Sequence, residues 1–129
     1  MDFWTNVGAR VLTPLDGVVH SFKNNAVFGD YGPTIILKHT LETLTFYTLY
    51  GHLAVESLDT LFIGKIYKKG TELATLGDSS INVGYAPHLH FQIIVDIKDN
   101  FGDYPGVCSL KDIDYYMQNC LNPQLLLHI

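Results

Sequence analysis

The chain has 129 residues, of which 47% are hydrophobic and 16% are charged, and it contains seven Phe and eight Tyr. This length suits a single domain over residues 1–129 with one core, and the composition argues against intrinsic disorder. The formal net charge is -5 and the eight Lys and Arg residues are scattered, so neither nucleic acid nor a membrane surface is expected as a partner.

Segments rich in β-branched and aromatic residues, separated by Gly, Pro and Asn turns, predict a series of short strands. In chain order these strands are Ala9–Leu12, Val18–Phe22, Thr34–His39, Leu44–His52 and Pro87–Val95. Residues 53–63 fit either one helical turn or an irregular crossover. The segment Tyr67–Gly77 predicts a short hairpin that bends at Lys69 and Gly70. By strand parity, His52 should share the face of Tyr50 and Thr48.

One short helix is predicted near the end of the chain. Ser109–Asp112 resembles a capping box, and an apolar face with i, i+3, i+4, i+7 spacing follows it. This face consists of Ile113, Tyr116, Met117 and Cys120. We expect Cys108 and Cys120 to be thiols, because two cysteines are too few for a secreted disulfide framework. Many short strands with a single helix predict an antiparallel β-sandwich or barrel.

The last strand carries two histidines on one face. Side chains alternate along a strand, so His88, His90 and Gln92 share one side. Leu89 and Phe91 then face the core. Imidazoles two residues apart on a strand lie roughly 6–7 Å from each other, which lets one bind a metal while the other handles a proton. With six histidines in the chain, such a pair by itself is a weak signal.

Five parts of the sequence together resemble the lysostaphin-like (LytM-type) zinc metallopeptidases, nearly from end to end. They are Asp2, Asp16–Val19, Leu49–Leu53, Gly70–Gly77 and Pro87–Phe91. The resemblance implies an all-β fold, an antiparallel β-sandwich of the duplicated hybrid motif type. It also implies zinc as cofactor and a peptide substrate like the cross-bridges of peptidoglycan. Carried over residue by residue, it implies Asp2 and His90 as metal ligands and His52 and His88 as catalytic residues.

Zinc chemistry agrees with this assignment. A catalytic zinc usually has three protein ligands and an open position for water, and imidazoles that titrate near neutral pH can move the proton of that water. The family's first ligand would lie four positions before Asp2, so we expect a truncated domain that binds zinc weakly and is impaired as an enzyme. His20 and His39 are alternative ligands, although no motif directs either of them to the metal.

A narrower resemblance is to the version of this domain fused between a kinase-like domain and a class III aminotransferase domain. It rests on Asp2–Trp4, Leu15–Gly17, Phe46–His52, Gln92 and Tyr104–Val107. It implies a cytoplasmic location, whereas removal of a leader would imply a secreted or periplasmic one. The alternative function is a non-catalytic module of the same fold, which binds a peptide or glycan or spaces two enzymatic domains. A histidine four positions before Asp2 would favour the peptidase.

Overall fold

A computed structural model describes residues 2–4, 9–25, 32–77, 88–98, 100–103 and 119–121. Within these residues the chain forms nine strands and one short 3-10 helix. The strands are β1 Asp2–Trp4, β2 Arg10–Leu12, β3 Gly17–Asn25, β4 Gly32–Leu41, β5 Leu44–Gly51, β6 Ile66–Tyr67, β7 Glu72–Thr75, β8 His88–Ile94 and β9 Cys120–Leu121. The 3-10 helix covers Val55–Leu58. Among the residues that the structure describes, no helix is long and apolar enough to cross a bilayer.

Seven strands form one antiparallel sheet in the order β1-β8-β5-β4-β3-β6, with β9 also paired to β8. Strands β2 and β7 form a separate antiparallel pair. Both β1 and β9 pair with β8: β1 at His88–His90, and β9 at Ile93 and Ile94. The predicted all-β, antiparallel class is therefore confirmed.

The main core lies between the large sheet and the small one. The register pairs Ile35 with Tyr50 and Tyr50 with Phe91, so these side chains stack on one face of three adjacent strands. Residues of both sheets contribute to this cluster. They include Val19, Ile35, Leu37, Tyr50, Phe91 and Ile93 from the large sheet and Val11, Leu73 and Ala74 from the small one. The two sheets thus form a sandwich of unequal layers.

A smaller core covers part of the opposite face. Its buried members are Ile36, Leu49, Ile94 and Ile97. The segment after β8 is fastened to β3 at this face: the Gly102 amide donates to Ser21 Oγ at 2.7 Å, and Asn25 Nδ2 donates to the Gly102 carbonyl at 2.8 Å. His90 and Gln92, further along β8, are only half-buried. The predicted histidine face therefore changes from apolar at Ile94 to polar at His90.

The structure differs from two predictions of local structure and decides a third that the sequence left open. Strand β3 continues to Asn25, three residues beyond the predicted end, because the Asn25 side chain is buried and hydrogen-bonded. The alternatives for residues 53–63 resolve in favour of a single helical turn. The predicted hairpin is wrong. The chain does turn at Gly70, where φ is +83°, but β6 pairs with β3 and β7 pairs with β2.

The predicted assignment of Cys120 to a helical face is also wrong. Cys120 lies in β9 and pairs with Ile94, where strand pairing satisfies its backbone. Asn119 fixes this strand, since its side chain accepts from the Asp96 amide at 2.8 Å and donates to the Asp96 carbonyl at 2.9 Å. The remainder of the predicted helix, with Cys108, lies outside the described residues.

Candidate functional site

Strand β8 lies between β1 and β5 at the end that carries its histidines. Asp2 of β1 is directly opposite His90, and Trp4 is directly opposite His88. On the other side, Gly51 of β5 is the partner of His90. Directly opposed residues are the nearest neighbours across an antiparallel ladder. The fold therefore makes positions 2 and 90 adjacent although they are 88 positions apart in the sequence (90 − 2).

His52 lies next to His90, and it does so by leaving the strand. Strand β5 ends at Gly51, and His52 adopts a left-handed backbone conformation with φ of +61°. Its ring centroid is 6.4 Å from that of His90, with the two rings nearly perpendicular at 85°. Strict alternation would have placed His52 on the core face with Tyr50. The parity prediction is therefore wrong for this residue, because the strand geometry on which it depended stops one residue earlier.

The surrounding chain holds His52 in this conformation. A left-handed conformation costs a non-glycine residue roughly 1–2 kcal/mol, so neighbouring contacts must fix it. The next residue, Leu53, is fully buried and donates its amide to the Pro33 carbonyl at 3.1 Å. The His52 carbonyl accepts from the Gly77 amide at 3.2 Å. His52 is only 4% exposed, so its ring is preorganised beside His90.

His90 also contacts Gln92 on its own strand. The distance from His90 Nε2 to Gln92 Oε1 is 2.9 Å, and Gln92 Nε2 lies 3.8 Å from the sulfur of Cys120. Gln92 is the position that the sequence singled out without assigning a role. The contribution of Cys120 was missed, because helical spacing and strand pairing both fit the few residues around it and no local signal separates them.

His39, one of the two alternative ligands, is built into the core. It is 1% exposed, Nδ1 lies 2.9 Å from the Asp16 carbonyl oxygen, and Nε2 lies 2.7 Å from Thr48 Oγ1. Burial lowers the pKa of His39, and the hydrogen bond to Asp16 only partly offsets this effect. Both ring nitrogens therefore serve the core, on the face opposite His90.

His20, the other alternative ligand, lies far along the sheet from His90. Its Nδ1 is 2.8 Å from Ser21 Oγ, and its ring meets that of Tyr47 edge-on at 5.3 Å. Burial and, to a lesser extent, Lys38 lower the pKa of His20. Across the part of the chain that the structure describes, no three His, Cys, Asp or Glu side chains cluster closely enough to hold a metal ion.

Two comparisons of the sequence with known proteins identify its relatives. The model of the family described as "Peptidase family M23" matches residues 1–100. An uncharacterized metalloprotease of Haemophilus influenzae is 32% identical over 96 residues, which make up 74% of this chain and 18% of that protein. The chain thus spans less than a fifth of the length of this curated relative.

Solved structures share the fold. The catalytic domain of the antimicrobial peptidase lysostaphin from Staphylococcus simulans is similar over 99% of this chain and 77% of its own, with a TM-score of 0.64 and 21% identity. The catalytic domain of the prophage-encoded M23 protein EnpA from Enterococcus faecalis is similar over 73% of this chain and 65% of its own, with a TM-score of 0.57 and 18% identity. Since the family match covers residues 1–100, well over half of the sequence, the chain belongs to peptidase family M23, a family of zinc metallopeptidases.

Proposed function

We propose that this chain is a zinc-dependent endopeptidase domain that acts on peptides of the peptidoglycan cross-bridge type. Membership of family M23 and the lysostaphin-like fold support a peptidoglycan hydrolase-like domain. The observation that carries the proposal is the contact between two histidine rings, that of His52 just after β5 and that of His90 on β8, with centroids 6.4 Å apart. A buried imidazole next to a half-buried one suits proton transfer.

Asp2 and His90 are the proposed zinc ligands. A carboxylate and an imidazole are both donors that zinc accepts, and these two residues occupy directly opposed positions in the β1–β8 ladder. A catalytic zinc takes three protein ligands, so the pair needs one further donor. The resemblance to the lysostaphin-like peptidases puts a histidine four positions before Asp2. When bound, zinc would supply Lewis acidity that polarises a peptide carbonyl and lowers the pKa of water.

His52 and His88 are the proposed catalytic residues. His52 is held by its neighbours at a fixed place beside His90, so its ring can receive or donate a proton without reorganisation. His88 lies two positions before His90 on the same strand. One imidazole would take the proton of the attacking water, and the other would stabilise the negative charge that develops on the substrate carbonyl.

The test supplies a third donor. The 129-residue chain is compared with a variant extended upstream by a segment that places a histidine four positions before Asp2. A matched control has the same extension with alanine at that position. Zinc per chain is measured by elemental analysis, and cleavage is measured on a glycine-rich peptide. We expect about one zinc per chain and cleavage with the histidine extension, and little zinc or cleavage in the control.

Substitutions in the extended variant separate the two roles. His90→Ala should lose zinc and cleavage together, whereas His52→Ala should keep the zinc and lose cleavage. Absence of zinc from the histidine-extended chain would refute the metal site. Full zinc occupancy with peptide binding but no cleavage would instead favour the non-catalytic binding module.

A further inference from the structure

Gln92 sits where it can control the chemistry of His90. It directly follows Phe91 on β8, and its side-chain oxygen lies 2.9 Å from His90 Nε2. A carboxamide oxygen only accepts hydrogen bonds, so the imidazole must donate through Nε2–H. In a neutral imidazole the other nitrogen, Nδ1, then carries the lone pair.

Cys120 sets the orientation of the Gln92 side-chain amide. The amide nitrogen lies 3.8 Å from the sulfur of Cys120, a weak acceptor placed there by the pairing of Cys120 with Ile94. With the nitrogen turned towards β9, the oxygen is left facing His90.

We propose that Gln92 is a positioning residue, which holds the proton of His90 on Nε2, so that Nδ1 would be the nitrogen to bind zinc. This inference rests on the proposed function, in which His90 is a zinc ligand. Partners that hold the second ring nitrogen of a ligating histidine fix its tautomer and orientation, and their loss typically weakens metal binding 10–100-fold. The same inference gives the C-terminal strand β9 a part in the site, through Cys120.

The test reads the His90 ring directly. The metal-free 129-residue chain is labelled with 15N and studied by long-range 1H–15N NMR at about pH 8, where an ordinary histidine is neutral. His90→Ala identifies the signals. We expect an observable Nε2–H proton and a lone pair on Nδ1. In Gln92→Leu the Nε2–H signal should disappear, because the proton exchanges with water. In Gln92→Glu, which keeps an acceptor, the signal should remain. If Gln92→Leu does not fold, Gln92→Met replaces it.

Two results would overturn the inference. One is a proton on Nδ1 of His90 in the unchanged chain. The other is an Nε2–H signal that survives unaltered when Gln92 is replaced by an apolar residue. In the histidine-extended variant, added zinc should shift Nδ1 and leave Nε2–H in place, and apolar replacement of Gln92 should weaken zinc binding 10–100-fold. If zinc does not bind at all, the proposed function fails, and the NMR result on the metal-free chain still decides the role of Gln92.

Discussion

His39, Thr48 and Tyr50 form a series of hydrogen bonds on the main-core face of β4 and β5, and the series has a defined direction. His39 Nδ1 faces the Asp16 carbonyl oxygen at 2.9 Å, so Nδ1 carries the ring proton. Burial lowers the pKa of His39 and keeps the ring neutral, so Nε2 accepts from the Thr48 hydroxyl at 2.7 Å. The Thr48 oxygen then accepts from the Tyr50 hydroxyl at 2.8 Å. All three side chains are at most 1% exposed.

Thr48→Val should strongly destabilise the fold although it preserves the volume of the side chain. It removes the donor to His39 and the acceptor of Tyr50 together, and each buried group left without a partner costs about 1–3 kcal/mol. We therefore expect the free energy of unfolding to fall by roughly 2–6 kcal/mol. Tyr50→Phe removes only the last donor of the chain and should cost about 1 kcal/mol. Urea unfolding, followed by circular dichroism, measures both.

The double variant tests whether Thr48 links His39 and Tyr50 in one series of hydrogen bonds. Once the Tyr50 hydroxyl is absent, Thr48→Val leaves only His39 without its partner. The double variant should then be more stable than the sum of the two single effects predicts, by about 1 kcal/mol or more. A loss for Thr48→Val no larger than that for Tyr50→Phe, or strict additivity, would refute the proposed link through Thr48.

Two further predictions concern packing and pH. Gly102→Ala should cost about 2–4 kcal/mol in urea unfolding, because φ is +65° and a Cβ there would lie 2.5 Å from Lys23 Cβ. Gly64→Ala is the control, since its φ is +91° but nothing lies within 4 Å, and it should cost only about 1–2 kcal/mol; equal losses would contradict the packing argument. Because burial lowers the pKa of His39 from 6.5, the unfolded chain binds the proton first as the pH falls. Stability should be complete well above pH 6.5 and decline below it, by up to about 1.4 kcal/mol per pH unit, and His39→Gln should reduce this slope relative to the unchanged chain.

The longer strands, β3, β4, β5 and β8, and their two-residue period could be predicted from the sequence because they depend on neighbouring residues alone. Alternation along Leu44–Gly51 and His88–Ile94 correctly separated the face of Phe91 from that of His90. The turn at Gly70 was likewise predicted from local chemistry. The roles of the candidate site residues came from resemblance to a family, which draws on spacing across the whole chain, whereas the strand pattern pointed only weakly to the pair His88 and His90.

Strand partners were decided only by the tertiary structure. Two residues are enough to form a strand such as β6 or β9, yet nothing within them specifies the edge to which they pair. The position of His52 had the same origin, since Gly51 ends the strand and the buried Leu53 fixes the turn that follows. Local sequence determines the direction of each side chain relative to its own strand. Which residues meet across strands depends on the hydrogen bonding of every strand edge and on the packing of both cores. These are properties of the whole folded chain.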